Sequence, residues 1–208
     1  MNHYNSFIID QNYNLFNESS LIETSKDVFS VFSRTTPNEQ VFLYKTARDS
    51  SLSGNIVEIG RFTGGSTCIM ALGIKDANKK EKVHSYDLNL IDITLENIKR
   101  LGLESYIEIN TQSSEEGAKQ WKNNGCPPCR FLLIDGDHEY QATVDDIAMW
   151  VPHLMPGGII AIHDYGNTDS RHFDVERAVH DEIIQKNKFE NYQVLDFMFT
   201  ATKRFNRG

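Results

Sequence analysis

The sequence predicts an α/β protein: a doubly wound, mostly parallel sheet with two helices ahead of it. Three observations carry that expectation. From Asn55 onward, short apolar strand-like runs alternate with segments of helical period. The runs are continuously apolar, as in a parallel sheet covered on both faces. The residues of unusual chemistry all fall at the carboxyl ends of those runs, where doubly wound sheets hold ligands.

In order, "SSLIETSKDVFSVFSR" places Leu21, Ile22, Val28, Phe29, Val31 and Phe32 at helical spacing, a first N-terminal helix. "TTPNEQVFLYKTARDS" opens a second, with Thr36 as cap, Pro37 in the first turn and Glu39 returning the bond three residues on. Then "NIVEI" reads as a strand, "GGSTCIMALGIKDA" as a helix and "KVHSYDL" as a strand. "ITLENIKRLGL" is a helix stopped by Gly102, "YIEINT" a strand and "SSEEGAKQWKNN" a polar helix. "RFLLIDG", "YQATVDDIAMWVPHL" and "GGIIAIHDYG" give strand, helix, strand, and "DVERAVHDEIIQKN" a helix with Val175, Ala178, Val179 and Ile183 on one side. "YQVLDFMFTATKRF" closes as one or two strands, a hairpin if two.

At 208 residues a single domain is expected, residues 51–208, preceded by an N-terminal helical lid segment, residues 1–50. The net charge of −8, with Lys and Arg scattered, argues against a nucleic-acid partner. No apolar run suits a membrane helix, and "MNHYNSFIIDQNYN" does not read as a signal peptide. Three cysteines make no disulfide framework, so a cytoplasmic location without a membrane partner is expected. No internal repeat is visible.

The stretch "VEIGRFTGGST", Val57 to Thr67, is either a tight strand-to-helix turn or a ligand cradle. As a cradle, Gly60 lets the backbone pass close to a ligand, and amides near Gly64, Gly65 and Ser66 point outward at a helix start. An acid at Glu58 repels a pyrophosphate and suits an ammonium group. S-adenosylmethionine carries that ammonium and no phosphate. Asp87, ending the second strand, is placed to accept from both ribose hydroxyls, or it is a surface acid.

These residues resemble the first motif of class I S-adenosylmethionine-dependent methyltransferases, which implies a Rossmann-like sheet and that cofactor. "FLLIDGDHEYQATVDDIAMWVPHLMPGGIIAIHDYG" resembles the small-molecule O-methyltransferase branch that includes sugar and macrolide enzymes. The resemblance covers residues 55 to 185, with "LMPGG" as the turn before the fifth strand. It implies that the loop of Ser113 and Ser114 contacts adenine, although Ser114 is equally suited to cap "EEGAKQW".

"IDGDHEY" and "IHDYGN" end adjacent strands, so Asp135, Asp137, His138, His163 and Asp164 converge on one rim. Such crowding must be offset by a cation, a proton or a donor network. The 28 residues from Asp135 to His163 resemble the ligand spacing of magnesium-dependent O-methyltransferases. That resemblance implies a metal set of Asp135, His163 and Asp164, with Asp135 also beside the cofactor. His163 stands where an acid is expected and favours manganese or iron over magnesium. His138 is the expected general base, or else a helix cap or a residue packed on the cofactor. "CPPC", Cys126 to Cys129, lacks a second ligand pair and reads as a loop. Asp145 and Asp146 read as a solvated helix face, Trp121 and Trp150 as packing residues, and His153, His172 and His180 as surface residues.

The function expected is methyl transfer to a hydroxyl oxygen of a small polar metabolite, with Asp135, His138 and His163 as the catalytic residues and homo-oligomerisation open. The alternatives are a metal-dependent hydrolase or oxygenase using the Asp/His rim, or a non-catalytic S-adenosylmethionine-binding module.

Overall fold

The computed structural model describes residues 26–125, 129–167 and 173–205. Thr36 opens helix α1 (Pro37–Asp49) with the expected capping box, its hydroxyl accepting from the Glu39 amide while the Glu39 carboxylate accepts from the Thr36 amide. Then follow β1 (Asn55–Ile59), α2 (Gly65–Asp76), β2 (Val83–Asp87), α3 (Asp92–Leu101), β3 (Ile107–Thr111) and α4 (Ser114–Asn123). The second half comprises β4 (Cys129–Ile134), α5 (Tyr140–Trp150), β5 (Leu154–Ile162), α6 (Phe173–Val179), β6 (Phe189–Leu195) and β7 (Met198–Lys203).

The seven strands form one sheet in the order β3–β2–β1–β4–β5–β7–β6. Pairing is parallel from β3 through β5, while the closing hairpin puts β7 antiparallel to both β5 and β6. The sheet is the doubly wound one expected. Its order reverses between β1 and β4, and this switch point opens the crevice in which such sheets bind ligands.

Period-2 alternation divides the core between the two faces. Phe131 and Leu133 of β4 join Leu43, Ile69 and Ile98 of α1, α2 and α3, whereas Leu132 and Ile134 join Trp121, Ile147 and Val179 of α4, α5 and α6. Val28 and Val31 sit in the same cluster as α1 and α2, so residues 26–50 pack against the sheet domain. Buried Arg130 reinforces that packing by donating to the carbonyls of Thr46 and Ala47 at the end of α1 and of Gly54 before β1.

Local corrections have local causes. The first N-terminal helix is, among the described residues, a 3-10 turn at Lys26–Ser30; Leu21 and Ile22 lie outside them. Of the described residues of its apolar set, Val28 and Val31 are buried, a spacing of three that suits a 3-10 turn, while Phe29 and Phe32 face outward. "LMPGG" forms the start of β5 rather than a turn before it. Leu154 pairs with Cys129 and Ile159 with Phe131, so the Pro-Gly-Gly residues bulge opposite Arg130. Helix α6 runs on into a π-helical turn at His180–Ile184. No helix among the described residues is long and apolar enough to cross a membrane.

Candidate active site

A cavity of about 1060 Å³ opens at the carboxyl ends of β1, β2, β3, β4 and β5. It is at the upper end of the size range for ligand pockets. The glycine turn forms its floor, for a reason other than the one expected. Gly60 has φ +86°, and a Cβ there would lie 1.9 Å from the Asp135 carbonyl oxygen. The close approach visible in the structure, which requires glycine, is therefore to the end of β4. Gly64 caps α2 in the left-handed region against Thr94, and a Cβ on Gly65 would meet the Phe32 carbonyl oxygen at 2.4 Å. Gly60, Gly65 and Ser66 line the cavity; Gly64 does not.

Glu58 does not line it either. Its side chain is fully buried, and its carboxylate accepts from the hydroxyls of Ser66, Thr67 and Ser85, each at 2.5 Å. Burial raises its pKa against the lowering effect of those donors. The acid expected to meet an ammonium group instead clamps the first turn of α2 to β1 and β2.

Asp87 does face the cavity. One carboxylate oxygen accepts from the amides of Arg61 and Phe62 at 2.9 and 3.0 Å, the other from the Asn89 amide at 2.9 Å. Burial raises its pKa, but these amides and the Arg61 charge outweigh that and leave it below the ordinary carboxylate value. Three of roughly four acceptor positions are thus used within the protein, leaving about one for a ligand. Arg61 gave no signal in the sequence. It is buried beneath the cavity and donates to the carbonyls of Ser85 and Asn89, holding the ends of β1 and β2 together.

At the far end of the cavity, Ser113 is the cap of α4, in a capping box with Glu116, so the alternative offered for Ser114 falls to its neighbour. Ser114 accepts from the Trp150 indole at 2.8 Å and is partnered with Asp146. Asp146, expected on a solvated face, is 7% exposed, lines the cavity, and has its pKa raised to about 6 by burial. Asp145 is exposed, as expected.

The rim assembles as the strand order requires. His138 Nε2 lies 2.9 Å from Asp164 Oδ2 and 3.8 Å from Asp135 Oδ1. One ligand atom each from Asp135, His138 and Asp164 fall within 4.8 Å of one another. His163, expected as the middle metal ligand, instead bridges carboxylates. Its Nδ1 is 3.2 Å from Asp135 Oδ1 and 3.4 Å from Asp164 Oδ2, and its Nε2 is 3.2 Å from Glu39 Oε2. Glu39 is fully buried on α1 and also accepts from the Phe197 amide at 2.8 Å. The sequence marked Glu39 only as a capping residue; its reach to a histidine 124 positions away leaves no local pattern. Asp164 holds a left-handed φ of +59° and accepts from Asn167 at 2.6 Å. A non-glycine residue in that conformation costs on the order of 1–3 kcal/mol, which here sets the direction of the carboxylate.

The nearby carboxylates of Asp135 and Asp164 outweigh burial and raise His138 to a pKa of about 9. For His163, burial acts downward, but its three carboxylate partners prevail and hold it well above the ordinary imidazole value. Burial acts upward on Asp135 and Asp164, and their histidine partners outweigh it, holding both below the ordinary range. Cys129 is buried at the start of β4 with its thiol pushed up to about 12 by burial; Cys126, Pro127, Pro128 and His172 lie outside the described residues.

A glycine turn, a strand-end acid and an Asp/His rim thus share one crevice of a doubly wound sheet, and the family model described as a methyltransferase domain matches residues 57–165, spanning all three. The chain belongs to that family. S-adenosylmethionine is the cofactor such a methyltransferase uses. Among relatives, a catechol O-methyltransferase of Niastella koreensis is 27% identical over 156 residues, 75% of this chain and 66% of its own length. This methyltransferase therefore spans just under two thirds of that relative. Among solved structures, the Bacillus cereus O-methyltransferase in complex with SAH matches with a TM-score of 0.65 at 20% identity, over 90% of this chain and 92% of that one. The MycE methyltransferase of the mycinamycin biosynthetic pathway, in complex with Mg, SAH and mycinamycin VI, matches with a TM-score of 0.59 at 15% identity, over 87% of this chain and 53% of that one. At these identities the structural likeness speaks for the fold of the methyltransferase.

Proposed function

We propose that this methyltransferase transfers the sulfonium methyl of S-adenosylmethionine to a hydroxyl oxygen of a small polar acceptor, with His138 as general base. The observation that carries the reading is the pairing of His138 Nε2 with Asp164 Oδ2 at 2.9 Å at the lip of the cofactor crevice. The Asp164 carboxylate holds the ring at the lip of the crevice, and the imidazole can take the acceptor's proton once it is neutral, which its pKa of about 9 places in the alkaline range. Asp87 holds the ribose, while Glu58, Ser66 and the three glycines act by fixing the turn beneath it. Asp135 and His163 keep the rim aligned, so that acceptor oxygen, methyl carbon and sulfur are held in line. The catalytic domain is residues 51–208. Residues 1–50 contribute the cover on the acceptor side, where Phe32 to Thr35 already line the cavity. The setting proposed is cytoplasmic, with no nucleic-acid or membrane partner.

The donor chemistry of the rim also fits a divalent cation, since two carboxylates with depressed pKa and one imidazole converge there. Asp135, His138 and Asp164 would hold it, the imidazole favouring manganese or iron over magnesium. Bound there, such an ion lowers the pKa of a nearby hydroxyl. A ligated His138 cannot also serve as base, so the two roles are separable.

The test is methyl transfer by the full chain to a panel of catechols, sugars and other hydroxylated acceptors, with chelator or with added manganese. Base catalysis requires turnover to survive chelator and to fall by about 10²–10⁴-fold in His138→Ala. Loss of transfer in chelator, restored by manganese, replaces that role with the cation. No transfer to any acceptor, with SAH bound normally, overturns the enzymatic reading in favour of a binding module.

A further inference from the structure

We infer that Glu39, on the N-terminal helix α1, is a positioning residue for methyl transfer: through His163 it fixes the Asp164 carboxylate that holds the base. The inference rests on the reading of His138 as general base given above.

A line of contacts joins α1 to that base. Glu39 Oε2 meets His163 Nε2 at 3.2 Å, and His163 Nδ1 lies 3.4 Å from Asp164 Oδ2 and 3.2 Å from Asp135 Oδ1. The same Asp164 oxygen lies 2.9 Å from His138 Nε2. Two amides anchor Glu39 itself. Its Oε1 accepts from Phe197, in the turn between β6 and β7, at 2.8 Å, and its Oε2 accepts from Thr36 at 2.7 Å.

Capping α1 does not by itself account for this placement. Helix α4 carries the same capping box, and its carboxylate, Glu116, is exposed. Glu39 is instead fully buried, a costly setting for a carboxylate that only its own donors offset. His163 is buried too, and both its ring nitrogens face carboxylates, so the ring has no freedom to absorb a displacement. A shift of Glu39 therefore passes to Asp164 and turns His138 away from the acceptor oxygen. The residues just before α1, Phe32 to Thr35, line the cavity. One helix start thus places both the cover and the base.

Kinetics of the full chain in excess chelator test this, with S-adenosylmethionine, the panel of acceptors named above, and SAH calorimetry to count competent sites. Two variants cut the link from opposite ends. Glu39→Gln removes one of the two carboxylate oxygens. His163→Asn keeps an amide donor near the place of Nδ1 and loses the arm that reaches Glu39. Each should lower kcat per SAH-binding site roughly 10–100-fold, with acceptor KM and SAH affinity within about twofold of wild type. The double variant should lose no more than the worse single one, because one line has been cut twice. Losses that multiply in the double variant would mean that Glu39 acts independently of His163, and they overturn the proposal. A lower melting temperature with kcat per site unchanged overturns it as well, as does a loss that falls on KM or SAH affinity instead of kcat. Should Glu39→Gln give no folded protein, His163→Asn decides alone, since it leaves both amide donors of Glu39 in place: lost turnover supports the proposal and full turnover overturns it. Wild type that transfers only with manganese, or to no acceptor, refutes instead the base reading on which the proposal rests.

Discussion

Replacing Asp87 by alanine should uncouple cofactor affinity from the rest of the site. Asp87 accepts three backbone amides within the protein, from Arg61, Phe62 and Asn89, and keeps about one acceptor position for a ligand hydroxyl. A hydrogen bond to a charged group contributes about 1.5–3 kcal/mol, so the SAH dissociation constant should rise roughly 10- to 150-fold. The fold should suffer less, because the Phe62 and Asn89 amides lie near the surface and water can replace the carboxylate. Phe62, however, holds a left-handed φ of +48° that its bond to Asp87 supports. Releasing it should lower stability by about 1–2 kcal/mol, a fall of roughly 2–8 °C in Tm for a chain of this size. The assay is calorimetry with SAH and with an analogue lacking both ribose hydroxyls. The variant should lose affinity for SAH and lose almost none for the analogue. Equal losses would mean that the turn had reorganised, and unchanged SAH affinity would remove Asp87 from the cofactor site.

Other outcomes follow from the same geometry. Gly60→Ala places a Cβ 1.9 Å from the Asp135 carbonyl at φ +86°, so it should fail to give folded protein, as read by circular dichroism; a native-like melt would refute the close-packing account of that glycine. Glu39→Ala removes the acceptor for Thr36, Phe197 and His163 together and should cost about 3–5 kcal/mol, or roughly 6–20 °C, whereas a change within a degree or two would show that the buried bridge contributes nothing. His138 has a pKa raised to about 9, above its unfolded value of about 6.5, so its stabilising contribution is complete below that lower value and disappears as pH rises through about 9. The stability gap between wild type and His138→Gln, followed by thermal melts, should close across that window; a gap constant with pH would contradict the pairing with Asp135 and Asp164.

Much of the molecule was legible as pattern. Continuous apolar runs such as "FLLI" cannot face water on either side, so their alternation with helix-period segments leaves few arrangements besides a covered parallel sheet. That in turn predicts the convergence of Asp135 with His163 and Asp164, because strand ends in such a sheet share one edge. The Thr36–Glu39 capping box was equally legible, being a bond between residues three apart.

Side-chain direction was not legible in the same way. Glu58 looked like a ligand group by its place at a strand end, yet its carboxylate is taken by Ser66, Thr67 and Ser85, the last from another strand. Asp145 and Asp146 are adjacent in the chain, and only the packing of α5 over Ser114 and Gly136 separates an exposed acid from a buried one. His163 was a plausible metal ligand until Glu39 reached it from the N-terminal helix. The sequence by itself determined the sheet, its ligand-binding edge and the family, because those follow from periodicity and local motifs. Only the tertiary structure decided which polar groups face the cavity and which serve one another, because burial and partner choice depend on contacts between residues far apart in the chain.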